Sequence, residues 1–194
     1  MNALSKESII ISGPNGAGKT TFAKAYLKEY AYEYLNPDDT AVELNPDKPE
    51  KAGIYAGRLF LRKLETLIGQ GKNLLIESTL SGRSFQQIIK KMKQAGYIIT
   101  IIYIFLDTPA TCFARVKERV RNGGHNVPEP DIVRRFYRSK ANFWQIYRNE
   151  ADLWHLFYNS NEYFLSVAFG EKVSYTTNDE ALFKLFIQDI KESI

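Results

Sequence analysis

Residues 13 to 20, GPNGAGKT, place glycine at the first, fourth and sixth positions and close with Lys19 and Thr20. The spacing is that of G-x-x-x-x-G-K-[ST], preceded by a strand-length apolar run and followed by a helical pattern. Glycines let successive backbone N–H groups of such a loop point inward at phosphate oxygens, and the helix opening near Gly18 adds the positive end of its dipole. Lys19 reaches the β- and γ-phosphates of a nucleoside triphosphate, and the Thr20 hydroxyl ligates Mg²⁺. Gly13, Pro14, Asn15, Gly16, Ala17, Gly18, Lys19, Thr20 and Thr21 are therefore assigned to binding ATP or GTP, with Thr20 as the metal contact.

Two further segments carry carboxylates. LNPDD, Leu35 to Asp39, has turn composition, so its plain reading is a surface turn. It also follows the candidate strand YEYLN, as ESTLSG, Glu77 to Gly82, follows NLLI. In open α/β sheets ligands sit outside the carboxyl ends of the strands, where both segments fall. Asp39 suits a helix N-cap or first turn. Glu77 suits a metal-bound water, an acceptor hydroxyl or a salt bridge at the core edge.

Cations are concentrated between residues 115 and 140, where Arg115, Lys117, Arg119, Arg121, Arg134, Arg135, Arg138 and Lys140 face only Glu118, Glu129 and Asp131. Such a cluster suits a polyphosphate or a nucleic-acid backbone. Arg115 and Arg119 share one helical face, with Phe113, Val116 and Val120 available to pack on the other. NGGHNVPEP then supplies a flexible turn, and DIVRRF returns Arg134 and Arg135. A segment of about 109–140 that closes such cations over phosphates stabilises a transferring phosphoryl group. Arg115 is assigned to the nucleotide, and Arg119 and Arg135 to the transition state. Arg58, beside Gly53 and Gly57, is a candidate acceptor contact or a surface ion pair. His125 and His155 are too few and too separated for a metal site. Cys112 reads as a buried thiol, and Trp144 and Trp154 as core residues.

These residues need a sheet to position them. Strand-length apolar runs occur at 8–12, 32–36, 73–78, 97–107 and 153–159, and their near-continuous Ile and Leu content suits a parallel sheet covered on both faces. Helical patterns fill 18–31, 50–69, 82–95, 109–122, 129–149 and 179–192. In the second of these, Phe60, Leu64, Leu67 and Ile68 recur at helical spacing. The alternation predicts one doubly wound, mostly parallel five-stranded α/β sheet with helices on both faces and the arginine-bearing lid, in a single domain over 1–194. YFLSVAFGEKVSY is read as a hairpin near the carboxyl end.

Composition sets outer bounds. Hydrophobic and charged fractions of 44% and 25% are those of a soluble globular chain and argue against disorder. No apolar run approaches the roughly 18 residues that cross a bilayer. The opening MNALSKESIIISG shows no secretory pattern, so a cytoplasmic location is expected.

A nucleotide can be used in more than one way. LSGRS at 80–84 is a loose match to the ABC signature, and IIYIFLDTP ends like an ABC catalytic strand. In that family, however, Glu would follow Asp107, where this chain has Thr108, leaving no carboxylate to polarise water. A nucleic-acid binder or polynucleotide kinase would use the same arginines and show affinity falling steeply with salt. A small-molecule kinase gives those arginines a place in phosphate closure.

GPNGAGKTTFA, YLNPDDTA, AGRLFL, LLIESTLSG and RVKERVRNGGHNVPEPDIVRRF together resemble the zeta toxin family of P-loop kinases, in family order across about residues 8–138. The resemblance implies an ATP- and Mg²⁺-dependent phosphotransferase whose catalytic aspartate, by motif position, is Asp38. It implies a small-molecule acceptor, a UDP-linked N-acetyl amino sugar in the characterised toxins, and an antitoxin or inhibitor protein as partner. ESTLSG stands where the family has Glu-Thr-Thr, which implies Glu77 at the acceptor or metal side with Ser78 and Thr79 nearby, and Asn36 and Asp38 at the acceptor.

Overall fold

The computed structural model describes residues 6–45, 53–160 and 163–191. Strands β1 (Lys6–Ser12), β2 (Glu33–Leu35), β3 (Leu74–Ser78), β4 (Tyr97–Phe105) and β5 (Leu153–Asn159) form a parallel array in the order β2-β3-β1-β4-β5. Strands β6 (Phe164–Glu171) and β7 (Ser174–Thr177) continue it antiparallel beyond β5, so the sheet has seven strands rather than five. The two extra strands are the carboxyl-terminal hairpin. Lys172 turns its corner with φ at 51°, and the Trp154 indole donates to the Lys172 carbonyl at 3.0 Å.

Between the strands run α1 (Lys19–Glu29), α2 (Pro37–Leu44), α3 (Gly53–Gly69), α4 (Phe85–Gln94), α5 (Pro109–Arg121), α6 (Glu129–Asn142), α7 (Arg148–Glu150) and α8 (Glu180–Lys191). A π-helical stretch, Phe143–Tyr147, lies between α6 and α7 and interrupts the helix expected over 129–149. Among the described residues no helix is long and apolar enough to cross a membrane.

Side chains alternate across the strands. Ile10, Ile76, Tyr103 and Trp154 pack with Phe60, Leu64, Ile89, Phe143 and Phe186 on one face. Ile9, Ile11, Leu75, Ile102 and Ile104 pack with Ala17 and Ala23 on the other. Each such fully buried aliphatic side chain contributes about 1.5–3 kcal/mol of transfer free energy. A third cluster, Leu106, Cys112, Val116, Val127, Ile132 and Phe136, joins α5 to α6 and gives the arginine-bearing segment a core of its own. Val120, expected on that packed face, is instead exposed.

The register brings the functional segments to one edge. Ser12 lies level with Ser78 and Tyr103, and Leu35 with Ile76, so the chain leaves β1, β2, β3 and β4 on the same side of the sheet. The phosphate loop, the start of α2, the 79–84 loop and the start of α5 are neighbours for that reason.

Candidate active site

The loop between β1 and α1 is shaped by close approach. A Cβ on Gly13, at φ 139°, would stand 2.1 Å from the Ile104 carbonyl oxygen, so only glycine lets the loop pass β4. Gly18 caps α1 in the left-handed region. The first-turn N–H groups of α1 lack helical partners by construction and face the loop. Lys19 Nζ curls back to donate to the carbonyls of Gly13 at 3.0 Å and Pro14 at 2.9 Å. Burial lowers the Lys19 pKa; the Glu77 and Asp38 charges oppose that and Arg119 adds to it.

At the end of β3, Glu77 is 4% exposed and accepts from two hydroxyls. Thr20 donates to Oε2 at 3.0 Å, and Tyr34 donates to Oε1. Asn36 Nδ2 donates in turn to the Tyr34 hydroxyl at 3.2 Å. Burial raises the Glu77 pKa against those donors and the Lys19 charge.

Residues 36–39 are a helix start rather than a free turn. Asn36 is the N-cap of α2, accepting from the Asp38 N–H at 2.9 Å, with Pro37 at the first helical position. Asp38 and Asp39 fill the first turn, where the helix dipole favours them. Burial would raise the Asp38 pKa, but the His125 hydrogen bond and the His125, Lys19 and Arg119 charges hold it below the usual carboxylate value. Asp39 moves the other way, raised by burial and by the Asp38 charge.

A cavity of about 500 Å³ gathers these groups. Asn15 and Lys19 come from the phosphate loop, Asn36 and Asp38 from the start of α2, and Glu77, Ser78, Thr79 and Ser81 from the end of β3 and its loop. Arg134, Arg135 and Arg138 face them from α6. Arg135 Nη1 donates to Asn15 Oδ1 at 3.2 Å, so α6 touches the phosphate loop directly. Arg134 pairs with Asp131 at 2.9 Å.

The wall formed by the 79–84 loop is held in an uncommon conformation. Leu80 is buried with φ at 50°, Asn142 Nδ2 donates to its carbonyl at 2.9 Å, and the Tyr147 hydroxyl donates to the Gly82 carbonyl. A strained non-glycine residue fastened this way commonly marks a ligand clamp. The π-helical stretch lies between Asn142 and Arg148 and carries Tyr147, so both fastenings come from this part of the chain.

Arg115 and Arg119 lie beside this cavity rather than in its lining. Arg115 Nη2 donates to the Asn159 carbonyl at 3.1 Å, while Asn159 Nδ2 donates to the Ala17 carbonyl at 2.9 Å, tying α5 and β5 to the phosphate loop. Arg119 Nη2 donates to the His125 carbonyl at 3.0 Å. The Nε atoms of both arginines are buried without a hydrogen-bond partner in the protein, an arrangement that suits an anionic ligand. Arg58 is exposed on α3 and does not reach this cavity. Cys112 is buried, its thiol pushed up to about 12 by desolvation.

This arrangement matches a known family over most of its length. A model of the AAA domain family (AAA_33) matches residues 9–141. The chain belongs to that family. Family membership thus covers the phosphate loop, the start of α2, Glu77 and the whole arginine-bearing segment. An uncharacterised protein of Haemophilus influenzae is 34% identical over 134 residues, 69% of this chain and 94% of the relative. The fold is also similar to a chain of the AvrRxo1-ORF1:ORF2 crystal structure with ATP, with TM-score 0.73 and 18% identity over 94% of this chain. Only 64% of that solved chain is covered. The PezAT chromosomal toxin–antitoxin system of Streptococcus pneumoniae gives TM-score 0.64 and 16% identity over 99% of this chain and 88% of that one. At these identities the likeness is one of fold, a mostly parallel α/β sheet flanked by helices.

Sequence reasoning missed Tyr34, Asn159 and the part played by His125. Tyr34 and Asn159 act through contacts with residues 43 and 142 positions away. His125 sat in GGHNVPE, a stretch singled out for its resemblance, but was weighed only as a metal ligand.

Proposed function

We propose that the chain is an ATP- and Mg²⁺-dependent phosphotransferase acting on a hydroxyl of a small-molecule acceptor. The observation that carries this reading is the shared cavity: Lys19 of the phosphate loop and Asp38 of α2 line one space, closed on a third side by Arg134, Arg135 and Arg138. Nucleotide binding, a carboxylate and cations for charge stabilisation are thereby adjacent.

In the proposed reaction the acceptor oxygen bonds to the γ-phosphorus as the bond from that phosphorus to the β,γ-bridging oxygen breaks, releasing ADP. The Asp38 carboxylate orients the hydroxyl and takes its proton late, a role suited to a carboxylate kept ionised by neighbouring cations. Lys19, Arg119 and Arg135 stabilise charge on the transferring group, and Arg115 holds the nucleotide side. Thr20 and Glu77 offer the hard oxygen donors that Mg²⁺ prefers. Bound there, Mg²⁺ would neutralise phosphate charge. Among the described residues no group of three or more His, Cys, Asp or Glu forms a separate metal site.

Asn36, Ser78 and Thr79 supply acceptor contacts, and the α6 arginines favour an acceptor that is itself anionic, a description that a UDP-linked amino sugar meets. The reading extends to an inhibitor protein, supported by the toxin–antitoxin system named for the pneumococcal structure.

The test is a γ-phosphate transfer screen over UDP-sugars, free sugars, nucleosides and short oligonucleotides. Transfer to a small molecule is expected, with Asp38→Asn lowering kcat by about 10²–10⁴. Steady ATP hydrolysis with transfer to no acceptor would overturn the reading.

A further inference from the structure

His125 stands on the turn joining α5 to α6, and its Nε2 lies 3.2 Å from Asp38 Oδ2. The same nitrogen lies 3.2 Å from Arg119 Nη2. A ring nitrogen carries either a proton or a lone pair, so these two contacts demand opposite states of one atom. With a proton, Nε2 donates to Asp38 and confronts Arg119 donor to donor. Without one, it accepts from Arg119 and turns a lone pair toward the Asp38 carboxylate.

The geometry gives the imidazole little freedom to avoid this choice. The Gly124 N–H donates to the Arg119 carbonyl at 2.9 Å, and a Cβ on Gly124 would stand 2.6 Å from Arg119 Cγ. The double-glycine turn is therefore wrapped against Arg119, which also holds the His125 carbonyl. The His125 side chain is 24% exposed, whereas that of Asp38 is 52% exposed and open to a ligand. A second cavity of about 390 Å³ lies between the turn and α2, and Asp38 and Arg135 line both cavities.

We propose that His125 is the positioning residue of Asp38: protonated at Nε2, it holds the carboxylate toward the acceptor hydroxyl and offers Arg119 no acceptor at the ring, leaving that guanidinium N–H for the transferring phosphoryl group. With Nε2 bare, it engages Arg119 and releases Asp38. The turn of the arginine-bearing segment thereby couples base orientation to the availability of an arginine. His125 itself gives no proton to the acceptor; the hydroxyl proton goes to Asp38 and then to solvent. This inference rests on the reading of Asp38 as the base.

The charges facing the pair come from four elements. Lys19 lies on α1, Asp39 on α2, Arg119 on α5, and Asp131 and Arg135 on α6. Lys19 and Arg119 favour the carboxylate form of Asp38 together with His125. Removing His125 removes one of these supports, so the carboxylate should protonate at higher pH.

The experiment combines nuclear magnetic resonance with kinetics on the full chain. Two-bond ¹H–¹⁵N correlation should show His125 protonated at Nε2, and in Asp38→Asn the ring should shift toward the Nε2-bare tautomer that accepts from Arg119. The ¹³C titration midpoint of the Asp38 carboxyl should rise in His125→Ala and return in His125→Gln, whose amide keeps an N–H donor. With ATP as substrate and water as acceptor, His125→Ala should lower kcat roughly 10- to 100-fold, leave KM for ATP within about twofold and move the acid limb upward. A His125 tautomer unchanged in Asp38→Asn, or an Asp38 midpoint unchanged in His125→Ala, overturns the proposal. If His125→Ala loses binding of a fluorescent ATP analogue, the tautomer measurement in Asp38→Asn decides alone. Failure of the base reading is seen separately, as phosphoryl transfer to an identified acceptor that survives Asp38→Ala while the His125–Asp38 pairing persists.

Discussion

Thr20 Oγ1 and Glu77 Oε2 are 3.0 Å apart, joining the first turn of α1 to the carboxyl end of β3. The bond makes one unit of a phosphate-loop hydroxyl and a strand-end carboxylate 57 residues apart. With Tyr34 on its other oxygen, Glu77 presents its charge to the cavity in a fixed orientation.

Glu77→Gln keeps the shape of this unit and removes its charge. ATP turnover should fall roughly 10- to 100-fold, the range for losing a carboxylate that supports a metal site. The concentration of Mg²⁺ giving half-maximal rate should rise, while metal-free nucleotide binding, read by fluorescence, stays near the wild-type value. A Mg²⁺ dependence equal to that of the wild type would remove Glu77 from the metal side.

Lys19 offers a stability test with a definite sign. Its folded pKa lies below the ordinary 10.5 because burial penalises the ammonium. Between the lowered value and 10.5 the unfolded chain binds more protons, so this site's contribution makes the wild type more stable as pH rises through that window. Lys19→Met should therefore raise the melting temperature of the nucleotide-free protein at neutral pH, with an advantage that shrinks as pH approaches 10.5. The same variant should lose most ATP turnover.

At Gly13 the constraint is steric. Alanine there would bring Cβ to 2.1 Å from the Ile104 carbonyl, at a φ of 139° that L side chains rarely adopt. Gly13→Ala should lower stability by about 1–3 kcal/mol, seen in denaturant midpoints, and abolish saturable ATP binding. Wild-type binding by a stable Gly13→Ala protein would show that the loop tolerates a shift away from β4.

How much of this was legible in the sequence depends on the range of the interactions. The parallel sheet was readable because β1, β3 and β4 are continuous Ile and Leu runs, and the phosphate loop because its glycine spacing is local. YFLSVAFGEKVSY, 163–175, was read as a hairpin, but nothing local said that it would extend the sheet. The turn composition of Asn36 to Asp39 left only Asp39 with an expected place at a helix start, because the residues that cap and open a helix are also the residues that make turns. The His125–Asp38 contact spans 87 positions and leaves no periodic trace. Arg58 was grouped with acceptor contacts by its neighbours in sequence, whereas α3 presents it to solvent.

Lys140 tests whether α6 is held in place by α8. Its side chain is fully buried, its Nζ pairs with Asp189, and the ammonium lies 4.2 Å from the Phe136 ring centroid. Burial lowers the Lys140 pKa, with Asp189 opposing that shift. Lys140→Met removes the buried ammonium that Asp189 faces and should lower stability in denaturant unfolding. Lys140→Met with Asp189→Leu should recover part of that loss, because the carboxylate facing the lost ammonium is gone as well. Since α6 carries Arg134, Arg135 and Arg138, the single variant should also weaken ATP turnover more than the double variant does. Equal stability of the single variant and wild type would mean that α8 does not fasten α6 through this pair.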